Sequence, residues 1–301
     1  MRNTFIRELI RLAHTQRNIA LVVGDLGYSV VEEFADTFPD RFFNAGVAEQ
    51  NMMGLSAGMA SEGYHVFVYS IANFPTFRCA EQIRNDVDYH NLPVTVVSVG
   101  GGLSYGNLGY SHHAIQDYGL MRLFPNMLIA APGDPHEVTS CLRYLVRNPG
   151  PSYLRLGKAG EPTLHAALPV VEPGKWLTVK KSGASIDTLT GLGSCFLSTG
   201  SALKLACDWA QKPEFSNHAV LSLPLWGARF KQFQASQVSQ WQKVVSIEDH
   251  LVDCGFGSWL RESLGASPEL HTKLSSLALD SSVCGMVGRQ EVLNAIGGIA
   301  P

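Results

Sequence analysis

The feature that most constrains the fold is an alternation of short, uniformly apolar runs with helix-like stretches. IALVVGD (19–25), HVFVYS (65–70), VTVVSVG (94–100), NMLIAAPGD (126–134) and SYLRLG (152–157) each read as a strand bounded by Gly, Pro or Asp. Their apolar residues run on without alternation, as in strands buried on both faces. Between them, helical periodicity is expected over the first 16 residues, from about Ala48 to Ser61, over 81–90 and over 136–148. This order predicts a parallel α/β sheet covered on both sides. The first helix carries Phe5, Ile6, Leu9, Ile10 and Leu12 at helical spacing, with no continuous apolar core and no small-residue cleavage site, and is expected to be an amphipathic helix of the fold.

Residues 158–186 contain Pro162, Pro169 and Pro173 with weak periodicity and read as a linker. A second alternating set begins near Ile186: SCFLSTG (194–200), a helix over about 202–212, AVLSLP (219–224), KVVSIED (243–249) and a helix opening at DCGFGSWLRESLG. The 301 residues are thus expected to form two parallel or mixed-sheet α/β domains, 1–160 and 186–301, joined by a linker over 161–185. Hydrophobic residues make up 46% and charged residues 16%, enough for two large cores. The net charge is −3 with no basic stripe, which argues against nucleic acid as a partner. No run reaches the roughly 18 apolar residues of a membrane span. The six cysteines form no C-x-x-C pair and are expected to be small buried hydrophobes in a reduced, cytoplasmic compartment.

Four stretches carry chemistry. In NAGVAEQNMMGLSAGMASEG (44–63), Glu49 opens a helix whose other positions are small or apolar, including Gly54, Ser56, Ala57 and Gly58. Small residues allow close helix approach at a subunit seam, and a carboxylate there is either a dipole-stabilised surface group or a poorly solvated functional one. Phe74 and Phe77, three apart, face one way on a turn or helix start, either as core or as a pocket wall. The segment Gly100 to Gly109 holds five glycines in ten residues and is followed by Ser111, His112 and His113. It lies past a strand's carboxyl end, the ligand edge of such sheets. The paired histidines suit proton transfer or hydrogen bonding better than a metal, because adjacent side chains do not converge. Arg155 and Asp25 also sit at strand ends; a strand-end arginine serves either an anion or a structural ion pair. Asp249-His250 can be read as a catalytic pair, but structural roles are expected of them.

These stretches carry a resemblance. Arg41-Phe-Phe-Asn-Ala-Gly-Val-Ala-Glu49-Gln50-Asn51 resembles the cofactor-activating segment of transketolases and 1-deoxyxylulose-5-phosphate synthases, with their G-[IV]-A-E-[QH]-[NH] core after an R-[FY]-F lead. The likeness continues in order to about Gly157 and more weakly to the C-terminus. It implies a thiamine-diphosphate enzyme in which Glu49 bonds N1' of the aminopyrimidine and so activates the cofactor by general acid–base catalysis. Phe74, eight residues before Gln82, would stack on the pyrimidine and Phe77 would support it; Ile71 stands where many relatives have a further aromatic. Gly106-Asn-Leu-Gly109-Tyr-Ser111-His112-His113 is similar to the family's G-E-D-G-x-[ST]-H-Q, which makes His112 a substrate contact near the reacting carbon. Leu108 and Gly100 replace an acidic residue and a histidine that recognise a hydroxyl and a sugar phosphate in typical members. The substrates are therefore expected to differ from the standard pentose phosphates. His113 replaces glutamine as a further substrate contact, Arg155 matches an acceptor-phosphate arginine, and Asp25 matches a residue at the active-site rim.

The family's G-D-G…N motif for diphosphate and Mg2+ is missing: Gly24-Asp25-Leu26 and Gly133-Asp134-Pro135 are the only Gly-Asp pairs. With the start at Met1 just before the pyrimidine-binding domain, the expectation is the C-terminal subunit of a split, transketolase-like transferase of carbohydrate metabolism. It would move a two-carbon ketol or related acyl-anion unit between carbonyl substrates. The metal would be held by an N-terminal partner subunit of about 250–300 residues carrying G-D-G…N, in an α2β2 heterotetramer. Two alternatives remain at this point, a 2-oxo-acid dehydrogenase E1 β-like subunit and a non-catalytic regulatory subunit. The EQIRN and SHH segments fit the first less well, and joint retention of Glu49, Phe74 and His112 argues against the second.

Overall fold

The computed structural model describes residues 1–181 and 192–301. The expected start of the second domain at 186 lies outside the described residues.

The first half builds six parallel strands: β1 (Ile19–Val23), β2 (Phe42–Asn44), β3 (His65–Ile71), β4 (Val94–Val99), β5 (Leu128–Ala130) and β6 (Ser152–Leu156). β1, β4, β5 and β6 are buried along their whole length, as the unbroken apolar runs predict. The second half contributes β7 (Leu177–Lys180), β8 (Leu192–Ser198), β9 (Ala219–Ser222), β10 (Leu225–Trp226), β11 (Trp241–Leu251) and β12 (Leu274–Leu279). One sheet runs β10-β5-β6-β4-β3-β1-β2, the other β12-β11-β8-β9-β7. β7 falls inside the expected linker; it pairs antiparallel with β9 and closes the second sheet.

β10 ties the halves together. It leaves the second half and pairs antiparallel with β5, Leu225 opposite Ala130 and Trp226 opposite Ile129. Trp226 is fully buried against Tyr118 from the first half and Phe256 and Trp259 from the second, with ring centroids 5.1–5.4 Å away. Its indole N–H donates to Thr199 Oγ1 at 3.0 Å, so the polar edge is satisfied.

The N-terminal helix, Arg2–Ala13, buries Phe5, Ile6, Leu9, Ile10 and Ala13 on one face. It packs on the helix Pro135–Arg147, and Glu8 bridges the two by accepting from Arg11 and Arg143. The stretch 81–90 is helical but not a plain α-helix: residues Ile83–Asp88 form a π-helical segment. Cys79, Cys141 and Cys195 are buried, as expected of all six, but Cys254 is exposed, in a left-handed turn at φ 58°. Among the described residues no helix is long and apolar enough to cross a membrane.

Candidate active site

The carboxyl ends of β1, β2, β3, β4 and β6 open on one edge of the first sheet. Val23 and Asn44 are register partners there, and Asn44 organises the corner beyond them. Its Oδ1 accepts from the backbone N–H of Asp25 and of Gly46, each at 3.0 Å, and its Nδ2 donates to Asp25 Oδ1 at 3.0 Å. This fixes Asp25, exposed and left-handed at φ 53°, and sets the turn that delivers the chain to Glu49.

Glu49 is the first residue of the helix Glu49–Ser61, where the helix dipole favours a carboxylate. Its side chain is only 7% exposed, and Arg78 Nη1 donates to its Oε1 at 2.8 Å. Both line an open groove of about 520 Å³ with Val47, Ala48, Gln50 and Asn51. Cys79, next to Arg78, has its thiol pushed up to about 12 by burial and, secondarily, by the Glu49 charge, so it is an inert neighbour.

Arg78 links Glu49 to the aromatic wall. Its guanidinium carbon lies 4.4 Å from the Phe74 ring centroid. His112 also meets Phe74, edge-on at 5.3 Å and 72°. Asn73 holds this arrangement by donating to the carbonyls of Ser111 (3.2 Å) and His113 (2.8 Å), which ties the loop to the start of the Phe74 turn. Burial, and then the neighbouring His113, lowers the His112 pKa and favours a neutral ring. Ser111 Oγ lies within hydrogen-bond distance of the His112 Nδ1, at 3.0 Å, and so anchors the ring. Phe77 is exposed on the same short turn as Phe74, and Ile71 is half-buried at the end of β3.

Two expected substrate ligands are placed elsewhere. Arg155 is 2% exposed and all of its donors are engaged. Nε donates to Asp117 (2.7 Å), Nη1 to Asp249 (2.6 Å) and Tyr118 (3.2 Å), and Nη2 to the carbonyl of Ala114 (2.7 Å). Two buried carboxylates face the one cation, and these bonds leave no N–H for a phosphate. Arg155 is a junction between the two halves. His113 is 1% exposed beneath the loop, its Nε2 directed at the Gly106 carbonyl at 3.4 Å. It supports the loop and does not face the edge. Asp249 and His250 are likewise structural. Asp249 holds Arg155 and accepts from Ser201, while His250 stacks on Tyr118 and donates from Nδ1 to the carbonyl of Leu251.

Sequence reasoning passed over Asn44, Asn73, Arg78 and Lys158. Lys158 carried a readable signal. A cation inside a strand buried on both faces needs internal partners, whereas Lys158 lies beyond Leu156, where the chain has left the sheet. It is exposed, with Nζ 4.9 Å from the Tyr105 ring centroid. Among the described residues no group of His, Cys, Asp and Glu is arranged to hold a metal ion.

Comparison with known proteins gives a consistent picture. Residues 1–160 match the family model described as transketolase, pyrimidine binding domain. A putative transketolase C-terminal section from Methanocaldococcus jannaschii is 30% identical over 97% of this chain and 90% of its own length. One subunit of an apulose-4-phosphate transketolase from Phocaeicola vulgatus is 37% identical over 54% of this chain and 53% of its own. Among solved structures, one described as a split gene transketolase, inactive beta4 tetramer, superimposes with a TM-score of 0.82 at 26% identity, covering 99% of this chain and 93% of that one. The chain spans about half the length of the 1-deoxy-D-xylulose-5-phosphate synthases it matches, such as 47% of the one from Clostridium perfringens.

Proposed function

This chain belongs to the transketolase family, and from that premise we propose that it is the C-terminal subunit of a two-chain, thiamine-diphosphate-dependent transketolase-like enzyme. The observation that carries the reading is the contact chain from Glu49 through Arg78 and Phe74 to His112. A shielded carboxylate beside an aromatic face suits a planar nitrogen heterocycle, with the ring on Phe74 and a basic nitrogen at the carboxylate. The residues present therefore fit the aminopyrimidine. Thiamine diphosphate, when bound, supplies the carbon nucleophile and the electron sink for C–C cleavage. Glu49 holds a proton at N1' of the aminopyrimidine, Phe74 orients that ring, and Phe77 and Ile71 flank it. His112, with its pKa lowered toward the neutral form, hydrogen-bonds the substrate oxygen at the reacting carbon. Lys158 replaces Arg155 as the cation for an anionic substrate end, and Asp25 stands at the rim.

The diphosphate and Mg2+ belong in this proposal to an N-terminal partner with the G-D-G…N motif, in an α2β2 assembly. Support comes from the relatives described as a C-terminal section and as one subunit of a transketolase. In the proposed division into 1–160, a 161–185 linker and 186–301, the family match supports the boundary at 160, whereas β7 extends the second unit back into the linker. A cytoplasmic location is part of the same proposal.

Titration calorimetry with thiamine diphosphate and Mg2+ tests the divided site. The isolated chain should show no tight binding, whereas its complex with the partner chain should bind. A micromolar complex with the isolated chain would refute the division.

A further inference from the structure

The glycine-rich loop carries one large side chain that this reading leaves unused. Tyr105 folds back over Gly100, the first residue past β4. A Cβ built on Gly100 would lie 2.1 Å from Tyr105 Cε2 and 2.3 Å from Cδ2. Gly100 also has φ +87°, so both the backbone and the ring above it require glycine. Two site residues contact the ring. His112 meets it edge-on with centroids 6.3 Å apart, and Lys158 Nζ lies 4.9 Å from its centroid. The phenol is half-buried, and burial raises its pKa, so it is neutral at physiological pH.

We infer that Tyr105 sets the depth of the substrate pocket and is a specificity-determining residue, with Gly100 as the positioning residue that seats it. This rests on the roles proposed for His112 and Lys158. A substrate whose carbonyl lies at His112 and whose anionic end reaches Lys158 must run along the Tyr105 ring. The ring fills the corner down to the Gly100 backbone, which removes the room that a longer chain would need. Its face offers carbon contact and no partner for a row of hydroxyls. Hydroxyls lying against it lose their water without replacement, which disfavours them by about 10–100-fold against an otherwise similar substrate. The substrate class that fits is a short carbonyl compound with an anionic terminus and few hydroxyls.

The test uses the complex of this chain with its partner, with D-glyceraldehyde 3-phosphate and D-ribose 5-phosphate as acceptor probes. The wild type should prefer the three-carbon probe in kcat/KM. Tyr105→Ala should lower that preference roughly tenfold or more, mainly through the KM of the five-carbon probe, and Tyr105→Phe should retain it. A readout independent of turnover is the NMR resonance of the His112 ring in this chain. Tyr105→Ala should shift it by removing the neighbouring ring, and Tyr105→Phe should leave it nearly in place. The inference is overturned if an active Tyr105→Ala complex keeps the wild-type preference, if Tyr105→Phe behaves like the alanine variant, or if the His112 resonance does not move. A wild-type complex without turnover on any carbonyl pair would instead contradict the functional reading, and the pocket inference would fall with it.

Discussion

Arg78 closes over Glu49. Its Nη1 lies 2.8 Å from Oε1 of a carboxylate that is 7% exposed, while the arginine itself is 51% exposed and rests 4.4 Å from the Phe74 ring centroid. The cation therefore stands against the aromatic face proposed for the pyrimidine. In the proposed reading, Arg78 would have to give way when the pyrimidine ring takes that face. Because Arg78 is half in solvent, the pair adds little to stability, roughly 0.2–1 kcal/mol. Arg78→Ala should leave the melting temperature nearly unchanged and alter the cofactor KM of the assembled enzyme at least several-fold. Thermal unfolding and a cofactor titration check both; a large loss of stability with an unchanged KM would contradict the account.

Arg155 makes the opposite case. It is buried between Asp117 and Asp249, at 2.7 and 2.6 Å. Asp117 still balances the cation when Asp249 is removed, but the buried Nη1 donor loses its partner, at a cost of about 1–3 kcal/mol or more. Asp249→Ala should therefore move the urea midpoint sharply to lower denaturant, with less effect from Asp249→Asn. A wild-type midpoint for Asp249→Ala would make Arg155 a free anion ligand again.

Glu248 predicts a pH dependence of stability. Its carboxylate accepts from the backbone N–H of Phe256 (2.5 Å) and Gly257 (2.8 Å), yet burial pushes its pKa from 4.5 up to about 8. Between those values the native state holds a proton that the unfolded chain releases. The contribution is thus complete below about pH 4.5 and is lost as pH rises through about 8. Glu137, raised to about 7 chiefly by burial, acts in the same direction. His65, lowered to about 4 by burial, acts in the opposite direction below about pH 6.5, so the test is the difference between proteins: from pH 5 to pH 8, urea unfolding should show stability falling more steeply, or rising less, in the wild type than in Glu248→Gln. An identical slope in the variant would contradict the assignment.

Legibility from sequence followed the range of the forces involved. The buried strands of the first sheet are local apolar runs and were readable. Glu49 was readable because its neighbours from Arg41 to Asn51 form one dense motif. Arg155 was ambiguous because its fate is decided by Asp117, 38 residues away, and Asp249, 94 away. No local pattern encodes that choice. β10 is two residues long and gains its place by pairing with β5, so it shows no periodicity of its own. His112 and His113 look equivalent as neighbours, but the fold turns one ring toward Phe74 and the other beneath the loop.

The most direct measurement of the central claim is the turnover of Glu49→Gln in the assembled complex. Glutamine keeps the size and a hydrogen bond, but it cannot exchange a proton with N1'. The account predicts a fall of roughly 10²–10⁴-fold or more, with thermal stability and cofactor binding close to wild type. Near-normal turnover in that variant would show that Glu49 does not activate the cofactor.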